Sequence, residues 1–171
     1  GFGGKSDPFN HEIVVAKLSL VTGRPVKVGL TREEVFYCHR GRHQALMTIR
    51  TGVTKDGAIT AMDFESYLDG GAYGSYGVAS LYYTGALQTV TYDVPTYRFR
   101  GARAFTNKPP GGPKRGHGTT QPRFAVEVHL DKIAEELQVA PAELRLRHLV
   151  KPDAVTANWL QLGTVGLAAC I

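Results

Sequence analysis

The hydrophobic positions change period several times along this chain, and each change marks an element. Phe9, Ile13, Ala16 and Leu20 recur at helical spacing, with Val14, Val15 and Leu18 on the flanks. Asp7 can cap this helix, Pro8 can occupy its first position and Gly23 can end it. Apolar flanks of that width predict a helix buried on most sides. Residues 25–30 read as a short strand, and Thr31 as the cap of a helical turn over residues 32–37. From 44 to 54 the period drops to two. Asp56-Gly57 is a hairpin turn, and residues 58–68 return with Ile59, Ala61 and Asp63 alternating against Thr60, Met62 and Phe64. Asp69-Gly70-Gly71 breaks that strand.

Glycine and tyrosine crowd residues 73–87, within which 78–87 is the favoured helix. Pro95 turns the chain after Tyr92-Asp93-Val94, and residues 97–105 form another strand. Further on, Thr119 or Thr120 caps a helix that tolerates Pro122 in its first turn. Val126, Leu130, Ile133, Ala134 and Leu137 share one face of it, and charged residues from Glu127 to Glu136 line the other. Pro141 opens a last helix through Leu144 and Leu149, and loop follows from Lys151. Helices and strands alternate irregularly around one clear antiparallel hairpin. This predicts an α+β fold with mixed or antiparallel sheets and packed helices, rather than a doubly wound sheet.

Between the last strand and the long helix lies KPPGGPKRGHG, residues 108–118. Its prolines exclude both helix and central strand, and its glycines let the backbone turn tightly and approach another molecule. Lys108, Lys114, Arg115 and His117 make the loop cationic. It suits an anionic ligand, or is a basic surface loop and nothing more. The chain is mildly basic, with net charge +5 and pI ≈ 9.3, but it has no long Lys/Arg run. That charge fits an anionic cofactor or acidic substrate without indicating nucleic acid. No apolar run reaches membrane-spanning length. Cys38 and Cys170 form neither a metal motif nor a disulfide framework, which favours a reducing, cytoplasmic compartment.

The amino end, GFGGKS, also suits phosphate where it runs into a helix. Gly4-Lys5-Ser6 matches the tail of a P-loop, although the loop's first glycine and preceding strand are not in the chain. A nucleotidase is therefore a distant reading, and a simple helix-entry turn the bland one. The six histidines show no metal-ligand spacing; His129 and His148 read as structural or solvated. His117 differs, because a side chain flanked by Gly116 and Gly118 can project into a cavity. Arg40-Gly41-Arg42 reads as a polar turn, with contact to an acidic partner as its alternative. Tyr67, Tyr73, Tyr76, Tyr82 and Tyr83 read mostly as core or boundary residues, a minority lining an aromatic pocket.

Taken together, GFGGK at residues 1–5, Gly70-Gly71-Ala72-Tyr73 and Arg115-Gly116-His117-Gly118 before a Gln121-containing helix start resemble the molybdenum-binding subunit of the xanthine dehydrogenase/aldehyde oxidase family. The resemblance runs along nearly the whole chain. H-R-G-R at His39 to Arg42, G-G-A-Y-x-x-Y-G from Gly70 to Gly77 and R-G-H-G look most like its 4-hydroxybenzoyl-CoA reductase branch.

The resemblance implies a molybdopterin cofactor, in many members its dinucleotide form, held largely by glycine-loop backbone. Gly1, Phe2, Gly3 and Gly4 would contact it on one side, and Pro113, Lys114, Arg115 and Gly116 on the other. Arg115 would lie beside the metal as a catalytic cation, and no protein side chain would ligate that metal. Hydroxylases of this family transfer a water-derived oxygen to an electron-poor carbon, whereas the CoA reductase removes a phenolic hydroxyl. Partners would be a [2Fe-2S] and an FAD subunit or domain, in a hetero-oligomer.

Ser6 stands where xanthine-oxidising members carry a glutamate, Tyr83 where they carry an arginine, and His117 in place of an aromatic stacking residue. These three positions point to an aromatic or acyl-CoA substrate rather than a purine. Residues 1–171 are then expected to be part of a longer cofactor-binding domain, inactive alone, with the general-base glutamate in a later segment. A non-catalytic scaffold that uses the basic loop for anions or a protein partner is the rival reading.

Overall fold

The computed structural model describes Gly3 and residues 10–171. The expected cap at Asp7 and the start at Pro8 lie outside the described residues. Helix α1 spans Asn10–Thr22 and ends at Gly23, whose φ of 62° suits a left-handed cap. It is not buried on most sides: Ile13, Val14, Leu18, Leu20 and Val21 are exposed, Leu20 by 81%. Periodicity reports which faces are apolar but not whether another element covers them, and none of these residues belongs to the core. Residues 25–30 form no strand; Val28 is exposed, and the segment pairs with nothing in the sheet. Helix α2, Arg32–Cys38, starts from a full capping box. The Thr31 hydroxyl accepts the Glu34 N–H at 3.2 Å, and the Glu34 carboxylate accepts the Thr31 N–H at 2.7 Å.

A three-stranded sheet follows in the order β1-β2-β3. Strands β1 (Gln44–Val53) and β2 (Ile59–Asp69) form the expected antiparallel hairpin across Gly57, φ 88°. Its register slips by one residue between Gly52 and Val53. Gly52 makes room there for the Thr60 hydroxyl, which donates to the Gly52 carbonyl at 3.1 Å. The slip explains why odd-numbered Ile59 is buried along with even-numbered Met62, Phe64, Ser66 and Leu68.

Helix α3 (Gly77–Ala86) and a 3₁₀ turn (Leu87–Val90) carry the chain over to β3 (Tyr97–Ala104), which pairs parallel with β2. The fold is α+β with a mixed sheet, as the pattern indicated. Helix α4 (Thr120–Leu137) lays Val126, Leu130 and Ala134 against Ile59 and Met62. Helix α5 (Pro141–His148) adds Leu144. Each fully buried side chain here contributes about 1.5–3 kcal/mol. His129 bonds to Thr51 and His148 to the Gly57 carbonyl, so both are structural. This core fixes the C-terminal end of β3 and the N-terminal end of α4, and the glycine-rich loop hangs between them.

Candidate functional site: a glycine loop over a cationic floor

The loop is stitched down on two sides. Towards Gly70-Gly71-Ala72, the Gly111 N–H donates to the Gly70 carbonyl at 2.9 Å, the Ala72 N–H to Lys108 at 2.9 Å and the Thr106 N–H to Gly71 at 3.1 Å. Gly71 has φ 65°, and a side chain there would collide with the Pro109 carbonyl. Towards Arg40-Gly41-Arg42, the Gly112 N–H donates to the Gly41 carbonyl at 2.8 Å. Asp69, at the end of β2, ties these strands of chain together. It accepts from the Lys108 ammonium at 2.5 Å, the Thr106 hydroxyl at 2.7 Å and the Gly71 N–H at 3.1 Å. These bonds, Lys108's first, hold its carboxyl down to about 2.

Cationic and imidazole side chains lie beneath the loop. His43 is 6% exposed and its ring supports Gly111, where an added Cβ would come within 2.7 Å of the imidazole. Burial, then the positive charge of Arg103 and electrostatic coupling to the His117 imidazole, push its pKa down to about 4, against a smaller pull from Asp69. Its Nε2 is buried with no hydrogen-bond partner. Arg40 is 8% exposed and packs against Gly112. Arg103 threads its guanidinium past Gly70 and Gly77, where no side chain would fit, and donates to the carbonyls of Gly70 (2.8 Å) and Tyr73 (3.2 Å). Its Nε is also buried without a partner. Arg42 is more than a polar turn: it donates to the Arg115 carbonyl at 2.8 Å and to the Thr120 hydroxyl, clamping the loop's exit to α4.

At that exit Pro113 is buried, while Lys114, Arg115 and Gly116 face solvent. Gly3, φ 141°, sits directly against Pro113; a Cβ there would lie 3.2 Å from the Pro113 carbonyl oxygen. The amino-terminal glycine run and the loop therefore meet in space at the one residue of that run described. Gly1, Phe2, Gly4 and Ser6 lie outside the described residues.

His117 is half-buried, with Tyr76 and Tyr83 edge-on at ring separations of 5.9 and 5.4 Å. Its Nε2 lies 2.7 Å from the Ser80 hydroxyl. Burial lowers its pKa, and a backbone bond with Tyr76 partly opposes the shift. Tyr67, Tyr73, Tyr82 and Tyr83 are exposed rather than core or boundary residues. The sequence reading missed His43, Arg103 and Ser80. Only the glycines opposite them, at 111, 70, 77 and 118, hinted that something bulky lay close.

A separate apolar groove of about 750 Å³ runs from Arg42 and Gln121 past Met47, Phe124 and Val128 to His129. It begins where the loop ends but does not include the loop's cations.

Arg40 and Arg103 beneath the glycine turns, Lys114 and Arg115 above them, and two buried nitrogens without hydrogen-bond partners are compatible with an anionic, phosphate-bearing ligand. Residues 1–149 match the model of the molybdopterin cofactor-binding domain, and this chain belongs to that family. The match covers the amino-terminal segment and so displaces the P-loop reading.

The chain is similar to the xanthine dehydrogenase molybdenum-binding subunit of Escherichia coli O157:H7, 33% identical over 172 residues, which are 100% of this chain and 23% of that protein. It is similar also to the nicotinate dehydrogenase large molybdopterin subunit of Eubacterium barkeri, 34% identical over 169 residues, 98% of this chain and 39% of that one. Among solved structures, the aldehyde oxidoreductase of Desulfovibrio gigas superposes with a TM-score of 0.91 at 28% identity, over 99% of this chain and 18% of that chain. The chain thus spans from about a fifth to two fifths of the length of these relatives.

Proposed function

We propose that this chain supplies one wall of the molybdopterin cradle of a molybdenum hydroxylase-type oxidoreductase. The observation that carries the reading is the contact of Gly3 with Pro113 beside a floor holding the unpartnered His43 Nε2 and Arg103 Nε. Gly1 to Gly4 and Pro113 to Gly116 would hold the group from opposite sides through backbone. When bound, the cofactor supplies two-electron redox chemistry at its metal, coupled to oxygen transfer at an electron-poor carbon.

The chain's own residues bind, orient and place charge. Arg42 fixes the Arg115 carbonyl, and the Arg115 side chain offers a preorganised cation where negative charge develops. Iron–sulfur and flavin partners would carry electrons away, in a hetero-oligomer. Cys38 and Cys170 are unpaired and exposed, which supports a reducing, cytoplasmic setting.

The relatives' names range over xanthine, nicotinate and aldehydes, so the substrate class is argued from the site. Tyr83 and Tyr76 close on the ring of His117, two residues along the chain from Arg115, and Tyr83 and His117 stand where purine-oxidising members carry other residues. This supports a planar aromatic acid or its acyl-CoA thioester. The 4-hydroxybenzoyl-CoA reductase form of the reading rests on the H-R-G-R and R-G-H-G runs.

Metal and pterin analysis of the purified protein tests the proposal. We expect about one molybdenum and one pterin per site in the wild type, and loss of both in Gly71→Ala. Wild-type protein from molybdenum-replete cells that carries neither would overturn it.

A further inference from the structure

We infer that Ser80 is the positioning residue for His117, fixing one ring tautomer and one ring plane so that the imidazole stands beside Arg115 as a neutral aromatic wall. The inference rests on the reading above that His117 faces the substrate.

Ser80 lies on the inner face of α3 with no exposure, its hydroxyl 2.7 Å from His117 Nε2. The loop comes this close because Gly118, φ 72°, lies flat on the Ser80 carbonyl, where any side chain would collide. Thr84, one turn on, ties the same two stretches. Its hydroxyl lies 2.8 Å from the Gly118 carbonyl and 2.9 Å from that of Ser80.

The second contact comes from the Tyr76 backbone, whose bond to the ring favours the protonated form, as a carbonyl accepting a ring N–H does. A neutral imidazole has a single N–H. If Tyr76 takes it from Nδ1, then Nε2 is the acceptor and the Ser80 hydroxyl is the donor. Tyr76 and Tyr83 close on the ring edge-on from the α3 side. His43 faces it from below, and Lys114 and Arg115 share its own loop. Burial favours the neutral ring, against the smaller opposing effect of the Tyr76 bond.

The consequence concerns specificity. With both nitrogens engaged by protein, His117 offers a substrate ring face and C–H edge rather than a proton. The wall therefore selects a flat aromatic ring by contact, and proton transfer is left to other groups.

The test is the ¹⁵N signature of His117 in histidine-labelled protein, assigned by its disappearance in His117→Phe. We expect the Nδ1–H tautomer in the wild type. Ser80→Ala should give a mixture of tautomers, and Ser80→Thr, which keeps the hydroxyl, should restore the single one. Thr84→Val removes the neighbouring tie to the Gly118 carbonyl but keeps the Ser80 hydroxyl on Nε2, and should leave the tautomer unchanged. An Nε2–H wild type, or a Ser80→Ala spectrum identical to the wild type, would overturn the inference. Should Ser80→Ala not fold, the wild-type tautomer decides alone. Molybdenum and pterin content measured on the same samples reads the cradle separately. Its loss from the wild type would count against the functional reading and not against the Ser80–His117 pair.

Discussion

Lowering the pH should open the loop before it unfolds the core, and the reason is His43. Its imidazole is held at about 4 in the folded protein against an ordinary 6.5. The folded state therefore binds the His43 proton more weakly than the opened state does, by about 3 kcal/mol. The stability this group contributes is fully present above pH 6.5. It drains away as pH falls from 6.5 towards 4, because the opened state takes up the proton first. Between pH 7 and pH 5 the loss is about 2 kcal/mol, roughly a thirtyfold rise in the population with the ring exposed.

Gly111, which lies against the ring, and its neighbour Gly112 report on that opening, since their N–H groups bond to the Gly70 and Gly41 carbonyls. Amide exchange at these two residues, corrected for its intrinsic pH dependence, should speed up roughly thirtyfold over this range. Core amides such as that of Leu130 should not follow. His43→Phe replaces the titrating ring with an apolar one, and should flatten the profile. Parallel profiles in wild type and variant would refute the assignment of the effect to His43.

Other perturbations should separate loop from core. Gly71→Ala places a methyl against the Pro109 carbonyl at φ 65°; we expect a stability loss of about 1–3 kcal/mol, read by chemical denaturation, together with release of the loop. Leu130→Ala empties the centre of the core and should cost about 2–5 kcal/mol while leaving exchange at Gly111 relatively protected. Asp69→Asn removes the charge that Lys108 and Thr106 share and should free residues 106–112 at neutral pH. In the wild type the same contribution is present above the ordinary carboxylate value and is lost as pH falls towards 2, so acid titration of loop exchange should show a second step that the variant lacks.

What the sequence revealed depended on how local the cause was. The hairpin from Gln44 to Asp69 follows from alternation and an Asp-Gly turn, and α4 from one apolar stripe, so both were legible. The loop itself was legible from its prolines and glycines, while its reading as a cofactor edge rested on resemblance alone. Ser80 lies 37 residues from His117, and Arg103 lies 33 from Gly70; no local pattern links either pair. Helix α1 failed in the opposite direction. Its apolar faces were read correctly, but burial also requires a neighbour, and the sheet and α4 complete their core without it.

The glycines in this chain make sense only beside what they accommodate. Gly70 and Gly77 leave room for the Arg103 guanidinium, Gly111 for the His43 ring, and Gly118 for the α3 backbone at Ser80. Each missing side chain therefore brings a cation, an imidazole or a helix up against loop backbone. Arg103 spends its Nη2 donors on the carbonyls of Gly70 and Tyr73. Asp69 is already committed to Lys108 and Thr106. Burial is the first cause of the neutral His43 ring and the positive charge of Arg103 the next, and an anionic cofactor would meet that same charge. Protonation of His43 and occupancy of the cradle are thus coupled through charge, and each shifts the other's equilibrium by the same free energy.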